Sequence, residues 1–136
     1  MTPEALLQAA ETARQNSYCP YSHFAVGAAL FCDDGRVFDG CNIENAAFSP
    51  TICAERTAVA KAVSAGARRI TAVAVVGGKV GENGKFCTPC GVCRQVLAEF
   101  ATPDTPVYTR SKDGGVFATT LGELLPLGFS AADMEG

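Results

Sequence analysis

Apolar positions along the chain change their period several times, and each change marks an element. Leu6, Ala9, Ala10 and Ala13 recur at helical spacing behind Thr2-Pro3-Glu4, which supplies an N-cap, a proline at the first helical position and an early acid. The spacing predicts a helix from residue 3 to about residue 16. Phe24 to Cys32 is an apolar run, closed by Asp34-Gly35 and followed by Val37 to Ile43, the pattern of two antiparallel strands around a tight turn. From Cys53 onward Ala54, Ala58, Val59, Ala62 and Val63 return to helical spacing until Gly66 offers a stop. Ile70 to Val76 reads as a strand covered on both faces, hence central in a sheet. After a Gly-rich connection from Gly77 to Lys85, the residues Cys93, Val96, Leu97 and Phe100 mark one face of a third helix, which Pro103 ends. Val107 to Thr109 and Val116 to Thr119 read as short strands around Asp113-Gly114, and a helical segment closes the chain. This order predicts an α/β fold in which helices pack on the faces of a mixed sheet. Nothing in the pattern marks a boundary, so residues 1–136 are expected to form a single domain.

Composition narrows the function. The chain has 136 residues, 48% hydrophobic and 18% charged, enough for one sizeable core and without a low-complexity tract. A net charge of -3 argues against a nucleic-acid partner, whose phosphates call for clustered Lys and Arg. The start Met1-Thr2-Pro3-Glu4 lacks the basic and apolar stretches of a secretory signal, and no segment is long enough to span a bilayer. A cytoplasmic protein with no membrane partner is expected. Seven cysteines in such a chain point to metal ligation or thiol chemistry rather than disulfides.

Cys53-Ala54-Glu55 and Pro89-Cys90-Gly91-Val92-Cys93 each open a predicted helix, where unpaired backbone N–H groups and the helix dipole favour thiolate sulfur. Three thiolates on a tetrahedral zinc leave one position open for water, whereas a structural site is normally closed by four protein ligands. Glu55 shares a helix face with Val59 and Val63, which places a carboxylate at the end of an apolar stripe. Spacing alone also allows a ligand set containing Cys87, three residues before Cys90. Cys19, Cys32 and Cys41 sit in or beside apolar segments and read as small core residues, and His23 reads as a loop residue.

The joint pattern matches the signature of zinc-dependent nucleobase deaminases. Together with Asn42-Ile43-Glu44-Asn45, Cys53-Ala54-Glu55-Arg56-Thr57, Pro89 to Val96, and Leu124-Leu125-Pro126 with Phe129, it resembles the small homotetrameric cytidine deaminases from Tyr18 to about Asp133. The resemblance implies a three-layer α/β/α sandwich on a five-stranded mixed sheet. It further implies hydrolytic deamination of cytidine and 2'-deoxycytidine in pyrimidine salvage, and one zinc per subunit on Cys53, Cys90 and Cys93. Glu55 would move the protons, and Arg56 would donate to the thiolates. Phe24, Asn42, Glu44, Phe48, Ala54 and Phe129 would contact the nucleoside, with Phe129 entering a neighbouring subunit of a homotetramer. Many relatives carry tyrosine where this chain has Phe48, so a hydroxyl is missing there. A non-catalytic zinc-stabilised module and a deaminase of nucleoside analogues are the competing readings; tRNA or DNA editing is disfavoured by the acidic charge.

Overall fold

A computed structural model describes residues 1–135. Helix α1 spans Pro3–Arg14, and Thr2 caps it by accepting the Ala5 N–H. Strands β1 (Phe24–Cys32) and β2 (Val37–Cys41) form the hairpin, with Gly35 at φ +87 in its turn, a conformation that glycine adopts without steric cost. Helix α2 (Ala54–Ser64), strand β3 (Ile70–Lys79), helix α3 (Gly91–Phe100), strands β4 (Pro106–Arg110) and β5 (Val116–Thr120), and the short helices α4 (Leu121–Leu124) and α5 (Ala131–Glu135) follow. Among the described residues no helix is long and apolar enough to cross a membrane.

The five strands lie in the order β2-β1-β3-β4-β5, antiparallel except for the β3–β4 pair. A parallel pair needs a crossover, and α3 provides it. Alternation then divides the side chains between two faces. Ala28, Leu30 and Cys32 of β1 join Val73 and Val75 of β3 and Val107 of β4 against Ala58, Val59 and Ala62 of α2 and Leu97 of α3. Ala29, Ala74 and Val76 face the other way, onto Leu6, Leu7 and Ala10 of α1. The sheet is thus the middle layer of an α/β/α sandwich. Close approach shapes the packing: a Cβ on Gly27 would lie 1.9 Å from the Ala10 carbonyl oxygen, so only glycine lets α1 settle on β1.

Helix α1 ends at Arg14, short of residue 16, and two further boundaries that differ from the sequence expectation border the site. Strand β3 continues three residues beyond Val76, because Gly77 and Gly78 keep pairing with Val26 and Ala25 of β1. Strand β2 stops at Cys41, and Ile43 instead bridges Tyr18 and Ile52. The second change bears directly on the site.

Candidate active site

Two helix starts deliver the sulfurs. Cys53 is the N-cap of α2 and Cys90 the N-cap of α3, both in extended backbone, and neither side chain caps its own helix. A serine or aspartate there would fold back onto the helix N–H groups. These thiols turn toward one another: Cys53 Sγ lies 3.8 Å from Cys90 Sγ, which lies 3.5 Å from the Sγ of fully buried Cys93. All three sulfurs fall within 4.8 Å, and among the described residues they form the only metal-competent cluster of His, Cys, Asp or Glu. A tetrahedral zinc with Zn–S bonds of about 2.3 Å has S···S edges of about 3.8 Å, so the spacing suits that ion. Three protein sulfurs leave a fourth position free.

The charges around the sulfurs agree with this fit. Hydrogen bonding by Cys93, then by Arg56 and Cys90, pulls the Cys53 thiol below the ordinary thiol range, while the bond to Cys53 and burial push Cys93 up. The two shifts are opposite sides of one shared proton, and a divalent cation displaces the protons from the set. Arg56 Nη2 lies 3.8 Å from Cys53 Sγ and 3.5 Å from the Thr51 carbonyl oxygen. Its Nε is buried without a partner among the described residues. Glu55, the second residue of α2, is only 4% exposed. Burial raises its carboxyl to about 7, with the Cys53 charge adding to the shift.

Cys87 does not join the cluster. Its sulfur packs on Gly77, where a Cβ would come within 2.8 Å, and the Phe24 ring lies on the same glycine. Burial, with Glu55 and Cys53 nearby, pushes the Cys87 thiol up to about 12. Cys19 and Cys32 are buried and Cys41 is half-buried, as expected of core thiols. His23 is an exposed loop residue in the left-handed region at φ 57.

Asn42 and Glu44 both lie beyond β2, on either side of Ile43. Residues 17–26 hold both side chains. Asn42 Oδ1 accepts from the Val26 N–H and the Ser17 hydroxyl, and its Nδ2 donates to the Phe24 carbonyl. Glu44 accepts from the N–H groups of Tyr21 and Ser22 and from the Ser22 hydroxyl. A cavity of about 390 Å³ lies beside Glu44, lined by Tyr21, Ser22, Asn45, Phe48 and Thr51. Phe48 is 78% exposed and Phe129 is 60% exposed, so both side chains are accessible from solvent. Ala54 is fully buried at the start of α2, and its backbone N–H is what it can offer a ligand.

Sequence reasoning missed three supports. Arg94 donates to the carbonyls of Pro89 (2.6 Å) and Leu124 (2.7 Å) and to the Thr88 hydroxyl, tying the Cys90 loop to the C-terminal segment. Gln95 donates to the Phe129 carbonyl at 2.8 Å. Their position directly after Cys93 was the available signal. Arg14, 3% exposed, donates to the carbonyls of Ala25, Lys79 and Glu82 and pairs with Glu11. It carried no motif at all.

Residues 1–109 match the family model of the cytidine and deoxycytidylate deaminase zinc-binding region. The chain is 48% identical over 135 residues to a cytidine deaminase of Sporosarcina psychrophila, covering 99% of this chain and 96% of that one. It is similar in structure to the cytidine deaminase of Burkholderia pseudomallei, with a TM-score of 0.84, 47% identity, and 95% and 100% of the two chains covered. For the cytidine deaminase of Mycobacterium tuberculosis the values are 0.80, 39%, 95% and 98%.

Proposed function

Since the chain belongs to the cytidine and deoxycytidylate deaminase family, we propose that it hydrolyses cytidine and 2'-deoxycytidine to uridine, 2'-deoxyuridine and ammonia, with one zinc per subunit on Cys53, Cys90 and Cys93. The observation that carries this reading is a buried carboxylate, Glu55, beside an open three-sulfur cluster. Bound there, the ion supplies Lewis-acid activation of the attacking water. Glu55 accepts a proton from that water as its oxygen bonds C4, and passes the proton to N3. It then carries the second proton to the amine, so that the C4–N bond breaks and ammonia leaves while the oxygen stays. Burial raises the Glu55 carboxyl above the usual carboxylate range, which favours a group that must carry the proton as well as accept it. Arg56 offsets the charge of Cys53, which would otherwise blunt the activation.

The hydrogen bonds at Asn42 and Glu44 support a sugar contact of defined polarity. Val26 and Phe24 fix the orientation of the Asn42 amide, leaving one N–H to donate. Glu44 has both backbone donors on Oε1, leaving acceptor capacity on Oε2. One hydroxyl that accepts from Asn42 and donates to Glu44 satisfies both. A single-hydroxyl contact does not require a second one on the sugar, which is why both the ribo- and the deoxyribonucleoside are proposed. Phe24 would take one face of the base, and the exposed Phe129 of a second chain in a homotetramer the other. Cytoplasmic pyrimidine salvage is the setting this chemistry implies.

Glu55→Gln provides the test, since the amide keeps the shape and cannot shuttle a proton. We expect zinc content to be unchanged and kcat on cytidine, followed by ultraviolet absorbance, to fall by ~10² to 10⁴-fold. Near-normal turnover by zinc-replete Glu55→Gln protein would contradict the reading.

A further inference from the structure

We propose that Ser22 is a positioning residue for sugar recognition: its hydroxyl spans Glu44 and Phe24 and fixes which carboxylate oxygen meets the sugar. The proposal rests on the assignment of Asn42 and Glu44 to the sugar given above. Ser22 Oγ accepts from the Phe24 N–H at 3.0 Å and donates to Glu44 Oε2 at 2.5 Å. The first bond engages a lone pair and turns the hydroxyl proton toward the carboxylate. Glu44 Oε1 is meanwhile held by the N–H groups of Tyr21 and Ser22 at 2.9 and 3.1 Å.

Each of these contacts has a different task. Two N–H donors on one oxygen anchor the carboxylate but leave it free to swing about that anchor. The Ser22 hydroxyl, on the other oxygen, removes this freedom. It also holds the backbone of Phe24, so the side chain proposed to bind the sugar and the one proposed to stack on the base are referred to a single atom. Ser22 itself cannot drift. The next residue, His23, sits at φ 57, donates its N–H to the Cys19 carbonyl at 2.9 Å and accepts from the Val80 N–H at 3.0 Å. The Ser22 bond is also the largest influence keeping Glu44 below the usual carboxylate range, so it remains an acceptor at neutral pH. Ser17 makes the matching contact on Asn42 Oδ1. Sequence pattern gives no hint of either serine, because both act through a loop rather than an element.

The test compares 2'-deoxycytidine with 2',3'-dideoxycytidine, which differ only by the 3'-hydroxyl, in zinc-loaded wild type, Ser22→Ala, Ser22→Cys and Ser22→Thr. Wild type should prefer 2'-deoxycytidine. Ser22→Ala and Ser22→Cys, the second keeping the size but donating weakly, should raise KM for 2'-deoxycytidine roughly three- to tenfold with kcat within about twofold. The preference between the two nucleosides should narrow by the same factor, and Ser22→Thr should restore it. Equal kcat/KM for both nucleosides in wild type would overturn the sugar assignment itself. A preference that persists in Ser22→Ala and Ser22→Cys, or a loss shared equally by both nucleosides, would overturn the role of Ser22 alone.

Discussion

Cys87, Cys90 and Cys93 stand at equal intervals, so environment rather than spacing separates ligand from bystander. Cys90 heads a helix and faces two other sulfurs, whereas Cys87 is pressed onto Gly77 with its proton held by burial. Alanine at Cys53, Cys90 or Cys93 should therefore abolish zinc in the purified protein, while Cys87→Ala should retain a full complement. Elemental analysis after gel filtration decides it, and loss of zinc from Cys87→Ala with retention in Cys93→Ala would reverse the assignment. The trio and Glu55 were legible because ligand chemistry constrains residue type and spacing together. Ser22 and Arg94 were not, since a side chain that bonds a distant carbonyl or carboxylate leaves no periodic trace. Asn42 and Glu44 stood out only through the family resemblance, because hydrogen bonds from residues 17–26, rather than the pleat of a strand, hold their side chains.

Among the elements, α1 depends on polar contacts at both of its ends. Arg14 locks its C-terminus to β1 and to the end of β3, while Glu4 in its first turn forms two hydrogen bonds with Arg110 at the end of β4, at 2.7 and 2.8 Å. The Arg110 bonds hold Glu4 at about 2, below its ordinary 4.5. A carboxylate lowered on folding stabilises the native state fully above its unfolded value and loses that contribution as pH falls toward the folded one. Stability of the wild type should thus decline between pH 4.5 and 2 more steeply than that of Glu4→Gln. Urea titrations across that range would show it, and parallel curves would place the effect elsewhere. Hydrophobic period was enough to reveal every principal helix and strand, because burial on one or two faces is what sets the period. It misjudged the end of β3, where Gly77 and Gly78 read as loop residues yet stay in the sheet because close neighbours need their lack of a side chain.

For the whole molecule, the proposed contribution of Phe129 to a second chain's site is the feature to test. Gln95 holds its backbone while the residue stays 60% exposed, so its ring is accessible to a second copy. In a homotetramer that ring would shield the reacting base from water. Glu55→Ala and Phe129→Ala chains should each be poorly active alone, and coassembly should return part of the activity by pairing an intact Glu55 with an intact Phe129. A monomeric elution volume, or mixed assemblies no more active than their parents, would exclude a shared site. A contribution from a second chain leaves no trace in periodicity, since an exposed aromatic gives the same pattern whether or not it is covered.

Two helices that begin with cysteine lack the oxygen cap that normally quiets a first turn. Their free ends are therefore stitched together by whatever the sulfurs hold, and α2 and α3, 27 residues or more apart in the chain, should breathe as one. Stripping the ion with a chelator should accelerate amide deuterium uptake in residues 54–57 and 91–94 together, with α1 unchanged. Uptake rising in only one of the two segments would mean that each start is secured independently.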